Sequence, residues 1–152
     1  MDNIRVIQLS TETIMQQWGI VEKAISSALI YSVDEADSYT YLRKFSDNTY
    51  QCWAVIDSNE KIVNITVTHI NHYDKHKSLH LLLTSSVGGS KWEEYKEAHH
   101  AIEQYARTQG CKRIEMYGRK GWSRVLSKLT GSQNEKYKEV YVVHSMELKN
   151  EQ

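Results

Sequence analysis

The segment Ser78–Ser86 carries Leu79, Leu81, Leu82 and Leu83, so it is apolar on both faces, and it runs directly into Val87-Gly88-Gly89-Ser90 and a long helical repeat. A strand of this kind has no face to give to water and must be covered on both sides. It confines the chain to architectures in which helices cover both faces of a sheet. The 152 residues, 40% of them hydrophobic, suffice for one ordinary domain whose core needs no disulfide or metal staple.

The rest of the chain agrees with that layered arrangement. Ile4–Leu9 alternates as a short strand. Ser10 or Thr11 can cap a helix in which Ile14, Trp18, Val21, Ile25, Ala28 and Leu29 recur at helical spacing, with Gly19 a weak point or kink. Asp34 offers a second cap, followed by Ala36, Leu42 and Phe45 on one face through Ser46. Tyr50–Asp57 and Lys61–Ile70 flank the turn Ser58-Asn59-Glu60 and read as a β-hairpin. His72–Lys77 is a polar connection into the doubly apolar strand, which is expected to be central.

After the glycine pair, Ser90-Lys91-Trp92-Glu93 has the spacing of a capping box. Trp92, Tyr95, His99, Ile102, Tyr105 and Ala106 form the buried stripe of the helix that follows, and Gly110 ends it. Arg113–Tyr117 reads as a strand, Lys120–Leu129 as a short helix stopped by Gly131, and Glu139–Leu148 as a last strand. The expected fold is α/β (α+β): a mixed central sheet of about six strands in the order β-α-α-β-β-β-α-β-α-β, with helices on both faces. No linker or repeat interrupts it, so residues 1–152 are expected to form one domain.

Charge and cysteine content narrow the functional classes. The formal net charge is zero, so no whole-protein field gathers nucleic acid or anionic membrane. No apolar run approaches the roughly 20 residues of a membrane-spanning helix, and Met1–Arg5 lacks the basic and apolar regions of a signal peptide. Cys52 and Cys111 are too few for a disulfide framework and are expected to be reduced thiols, which suits a cytoplasmic location.

The junction Ser85-Ser86-Val87-Gly88-Gly89-Ser90 has the physics of an anion-binding turn. The first amides of a helix lack internal partners, and the macrodipole makes that end positive. Two glycines let backbone amides approach a phosphate, and Lys91 adds charge. The same sequence also serves as a plain tight turn. Four histidines, His69, His72, His76 and His80, suggest zinc ligands by number, but they straddle a hairpin and strand alternation directs them differently, so no metal is expected. Arg107, Lys112, Arg113, Arg119, Lys120, Arg124 and Lys128 stand against Glu115 alone, either as a solvated face or as a positive rim. Within that group Arg119 and Trp122 pair a guanidinium with an indole, which suits a nucleotide, a base or an anionic substrate.

The element order, the glycine turn after the fourth strand and the segment Gly110–Leu126 resemble the GNAT superfamily of acyl-CoA N-acyltransferases. The pattern Gly-Cys-x-x-Ile-x-x-x-Gly-Arg-x-Gly-Trp-x-x-x-Leu within it is similar to a divergent branch common in tailed bacteriophages. The resemblance implies transfer of an acetyl or other acyl group from acyl-CoA to an amine on a protein, small molecule or nucleotide, with no membrane partner and with homodimers among the expected assemblies. It implies that the pyrophosphate meets the amides of Gly88, Gly89, Ser90 and Lys91, and that pantetheine lies along Leu82, Leu83 and Thr84. Ser85 stands where the family's phosphate motif usually has Arg or Gln. Ser127 stands where many members have a tyrosine acid, and Tyr117 is the nearest tyrosine. The fourth strand holds no carboxylate, so His80 and His69 are the titratable candidates for a base. The alternative is a non-catalytic module, a virion or host-takeover protein that keeps the fold for binding.

Overall fold

The computed structural model describes residues 4–30, 36–88, 91–117, 122–141 and 143–149. The chain forms two compact units, Met1–Tyr117 and Gly118–Gln152. The first contains β1 (Arg5–Leu9), α1 (Thr11–Gln16), α2 (Trp18–Leu29), α3 (Ser38–Ser46), β2 (Tyr50–Ile56), β3 (Ile62–His72), β4 (Lys77–Ser86), α4 (Trp92–Thr108) and β5 (Arg113–Met116); the second contains α5 (Trp122–Leu126).

The strands make one five-stranded sheet in the order β1-β2-β3-β4-β5. All neighbours are antiparallel except β4 and β5, which are parallel and joined by the α4 crossover. The β2–β3 hairpin turns on Asp57, whose carboxylate accepts the amides of Asn59 and Lys61, while Glu60 takes a positive φ of 60°. The fold class is the one the sequence predicts, with five strands among the described residues in place of about six. β3, not β4, is the middle strand, although β4 is covered on both faces as expected.

Two apolar clusters lie on opposite faces. Val21, Ala24 and Ile25 of α2 and Tyr41 and Phe45 of α3 pack on Cys52, Ala54, Ile65, Val67 and Leu83. Ile102 and Ala106 of α4 pack on Trp53, Leu79 and Leu81. Fully burying each of the Val, Ile, Leu and Phe side chains among them contributes about 1.5–3 kcal/mol. Leu79, Leu81 and Leu83 ought to share one face by simple alternation, yet Leu83 belongs to the opposite cluster. The register explains this. Thr68 pairs with Leu81 and Val67 with Leu83, so Leu82 is an extra residue, a β-bulge that reverses the alternation beyond it.

Several boundaries differ from those read in the sequence. The first helix breaks at Gln17, whose backbone (φ −105°, ψ 20°) leaves the helical region, and Gly19 sits within α2. Asp37 caps α3 by accepting the Thr40 amide at 2.9 Å, and the expected cap Asp34 lies outside the described residues. β3 continues to His72, so the polar connection is only Tyr73–His76, closed by the Tyr73 amide on the His76 carbonyl. In the second unit α5 covers less than the expected Lys120–Leu129, and residues 118–121 are outside the description. Among the described residues Glu139–Leu148 forms no strand, and Val140, Tyr141, Val143, Met146 and Leu148 are exposed. A strand needs a laddered partner for its amides, and the pairing described in this unit is one isolated bridge, Thr130 with Lys136.

Candidate functional site

The parallel ladder between β4 and β5 is short. It pairs Ser78 with Arg113, Leu79 with Ile114, His80 with Glu115 and Leu81 with Met116, and no later pair is described. The bulge at Leu82 begins at the next residue of β4. Among the described residues the two features coincide: the last pair is Leu81 with Met116, and the bulge follows it. No partner among the described residues is laddered to the β5-facing edge of Leu82, Leu83 and Thr84, so it offers backbone groups as an added strand would need them. Leu83 is buried, Leu82 half-buried, and Thr84 is held by the hydroxyl of Thr66 at 2.9 Å and by the Asn64 amide at 3.2 Å.

Beyond the bulge, β4 leads to the glycine turn. The Val87 amide donates to the Val63 carbonyl, and Gly88 follows with φ +84°, a left-handed conformation that suits glycine. Gly89 and Ser90 lie outside the described residues. The N-cap of α4 is Lys91, one residue later than the sequence suggests, so the third helical position is Glu94 and not Glu93. The Glu94 carboxylate is buried and accepts the Lys91 amide at 3.1 Å. One amide at the mouth of the helix thus already has an anion. Glu93 is exposed and sits 3.9 Å from Lys96.

At the end of the described β4–β5 ladder stands a polar cluster. His80 is buried, with Nε2 3.1 Å from Glu115 Oε2 and 3.2 Å from the Tyr73 hydroxyl. Tyr73 also donates to Glu115 Oε2 at 3.3 Å. Arg113 takes the other carboxylate oxygen at 3.4 Å and reaches His76 Nε2 at 3.0 Å. The ring of Tyr117, more than half exposed, lies edge-on to His80 with centroids 5.3 Å apart. Directly paired positions carry the row across the sheet: Tyr50 against His69 at 5.4 Å and His69 against His80 at 6.4 Å. Burial pushes the His69 imidazole below its ordinary value, and His80, Lys44 and His72 add to the effect. Tyr50 also borders a cavity of about 230 Å³ with Ser10, Phe45 and Gln51.

No protein-family profile matches this chain, and no curated protein matches it in sequence. Solved structures do match. A probable acetyltransferase superposes with a TM-score of 0.72 over 97% of this chain and 99% of its own, at 7% identity. A GNAT family acetyltransferase from Staphylococcus aureus gives 0.65 over 94% and 98%, at 14% identity. An aminoglycoside N-acetyltransferase in complex with CoA gives 0.63 over 96% and 97%, at 9% identity. The fold is the GNAT fold.

Within the GNAT fold the residues singled out in the sequence are distributed unevenly. His80 and Tyr117 come together at the end of the β4–β5 ladder, and Leu82, Leu83, Thr84 and Gly88 follow one another along β4 and its turn. Lys91 caps α4. Gly89, Ser90 and Arg119 are outside the described residues. Ser127 and Trp122 belong to the second unit, where the Ser127 hydroxyl is spent on the Arg124 carbonyl at 2.7 Å and Trp122 is half-buried. Ser85 is buried and pairs with Ile65. His69 and His80 are side by side across β3 and β4, contrary to the expectation that the four histidines diverge, whereas His76 is drawn to Arg113. Among the described residues no three His, Cys, Asp or Glu side chains form a metal-ligand group.

Sequence reasoning missed Glu115 and Tyr73. Glu115 stands 35 positions after His80 and meets it only through the parallel register. Tyr73 belongs to the connection read as merely polar. The signal available was a lone carboxylate in a basic segment, Arg113-Ile114-Glu115, on a strand already expected beside Ser78–Ser86.

Proposed function

We propose that residues 1–152 form a GNAT-like N-acyltransferase that moves an acetyl or other acyl group from acyl-CoA to an amine. The observation that carries this reading is the coincidence of the Leu82 bulge with the end of the β4–β5 ladder. Among the described residues it leaves unladdered backbone beside a buried imidazole, between a glycine turn and a tyrosine. The CoA found in a structural neighbour of the same fold supports the choice of coenzyme.

In this reading the amides of Gly88, Gly89 and Ser90 receive the pyrophosphate, the Lys91 side chain adds charge while its amide stays with Glu94, and the backbone of Leu82–Thr84 receives the pantetheine. A backbone amide of β4 at the bulge polarises the thioester carbonyl. His80 takes a proton from the attacking amine. The amine nitrogen bonds to the acyl carbon, the carbon–sulfur bond breaks, and the thiolate leaves with the bonding electrons. Thiols are far stronger acids than alcohols, so protonation of the leaving group by Tyr117 is helpful and not essential. Arg119 and Trp122 serve the acceptor, and the cytoplasm is the place of action. The narrower family in this reading is the divergent bacteriophage-type branch that the Gly110–Leu126 pattern resembles.

A second reading, a GNAT-fold binding module without catalysis, is favoured by two observations. Ser85 brings no long polar side chain to the turn, and Glu94 already engages the Lys91 amide. Thermal unfolding with CoA and acetyl-CoA separates the readings. A ligand that binds only the native state raises Tm by mass action. A rise at millimolar coenzyme is expected; no rise sinks the acyltransferase.

A further inference from the structure

We infer that Glu115 and Tyr73 are positioning residues that hold His80 in one tautomer and leave its Nδ1 as the atom that accepts the proton. The inference rests on the acyltransferase reading for its use, but its geometry stands apart from it. The carboxylate of Glu115 can only accept hydrogen bonds. His80 Nε2 faces that carboxylate at 3.1 Å, and the Tyr73 hydroxyl that sits 3.2 Å from the same nitrogen gives its own proton to Glu115. A lone pair on Nε2 would oppose the lone pairs of both oxygens. Nε2 therefore carries the hydrogen, a tautomer assigned from its partners. Nδ1 keeps its lone pair, and among the described residues it has no hydrogen-bond donor.

The carboxylate is itself held. Arg113 binds its second oxygen at 3.4 Å, and the parallel register fixes Glu115 beside His80 on the same face of the sheet. The side chains of His80 and Glu115 are 8% and 15% exposed, so little water competes for the contact. When Nδ1 takes the amine proton, the imidazolium formed lies against an existing anion. The proton count closes with one proton lost by the amine and one gained by Nδ1.

The test uses the full chain labelled with ¹⁵N-histidine, with His80→Gln to assign the His80 signals. Long-range ¹H–¹⁵N correlation is expected to show neutral His80 as the Nε2–H form in the wild type. In the Glu115→Leu, Tyr73→Phe double variant the Nδ1–H form is expected to appear as well. An Nδ1–H wild type, or a tautomer population unmoved in the double variant, overturns the positioning role. Turnover of acetyl-CoA with a panel of primary amines supplies the second readout. Glu115→Gln is expected to lower kcat by about 10–100-fold, the reach of one charge-assisted hydrogen bond, with the KM for acetyl-CoA unchanged. Made in the His80→Gln background, the same substitution is expected to have no further effect, because residues acting as a unit are non-additive. Additive losses in the double variant overturn the proposal. Loss of coenzyme binding in the wild type sinks the acyltransferase reading instead, so the two failures are distinguishable.

Discussion

Replacing Gly88 tests the glycine turn with two separable effects. The residue sits at φ +84°, and a Cβ built there meets nothing within 4 Å. Alanine therefore brings no clash in the free protein, and its cost is the left-handed backbone alone, roughly 1–2 kcal/mol for an L-residue. For a chain of this size that is about 2–8 °C in Tm. Asparagine, which tolerates this region better, is expected to cost less than alanine. Glutamate adds a negative charge at the proposed pyrophosphate site. Each variant is measured by thermal unfolding with and without CoA. At a hundred times Kd the coenzyme stabilises the wild type by about 2.7 kcal/mol; Gly88→Glu should lose that increment, while Gly88→Asn should keep the larger part of it. Equal stability of the alanine variant and the wild type would refute the backbone argument. A full CoA shift in Gly88→Glu would place the cradle elsewhere.

Two further predictions concern the core. Thr68 is fully buried, accepts the Trp53 indole hydrogen at 3.0 Å and donates to the Gln51 side chain at 2.9 Å. Thr68→Val keeps the shape and orphans both partners, so urea unfolding should show a loss of roughly 1–3 kcal/mol for each, with an unchanged m-value; a neutral result would mean that water replaces the hydroxyl. Cys52 is buried in the cluster under α2 and α3, and burial pushes its thiol from the ordinary 9.0 up to about 12. The folded state then keeps a proton that the unfolded state has lost. The contribution of Cys52 to stability is intact below pH 9.0 and declines as pH rises from there through about 12. Cys52→Ala should flatten that alkaline decline, and iodoacetamide should leave Cys52 unmodified in the native protein at pH 8, whereas rapid alkylation would show that the site opens locally.

The layered fold was legible because it follows from patterns one or two turns long. The apolar periodicity of Trp18–Leu29 and Trp92–Thr108, the alternation in β2 and β3 and the glycines at 88 and 110 each report a local preference. The errors fall where local preference meets a partner. Glu139–Leu148 alternates like a strand, but a strand exists only where another backbone completes its ladder. The cap of α4 moved from Ser90 to Lys91 because Glu94, not Glu93, reaches the open amide.

The junction of β4, Gly88 and α4 shows both sides of this division. Sequence alone determined that a strand covered on both faces leads into a glycine turn and then into a helix. These consequences need only the covalent chain and its immediate neighbours. Only the tertiary structure decided that Leu82 is an extra residue, that the described β4–β5 ladder ends beside it, and that His80 meets Glu115 and Tyr73. A bulge is defined by the count of residues on the opposite strand, and a parallel neighbour is chosen by how a whole helix crosses over the sheet. Neither is written in the residues on either side of Leu82.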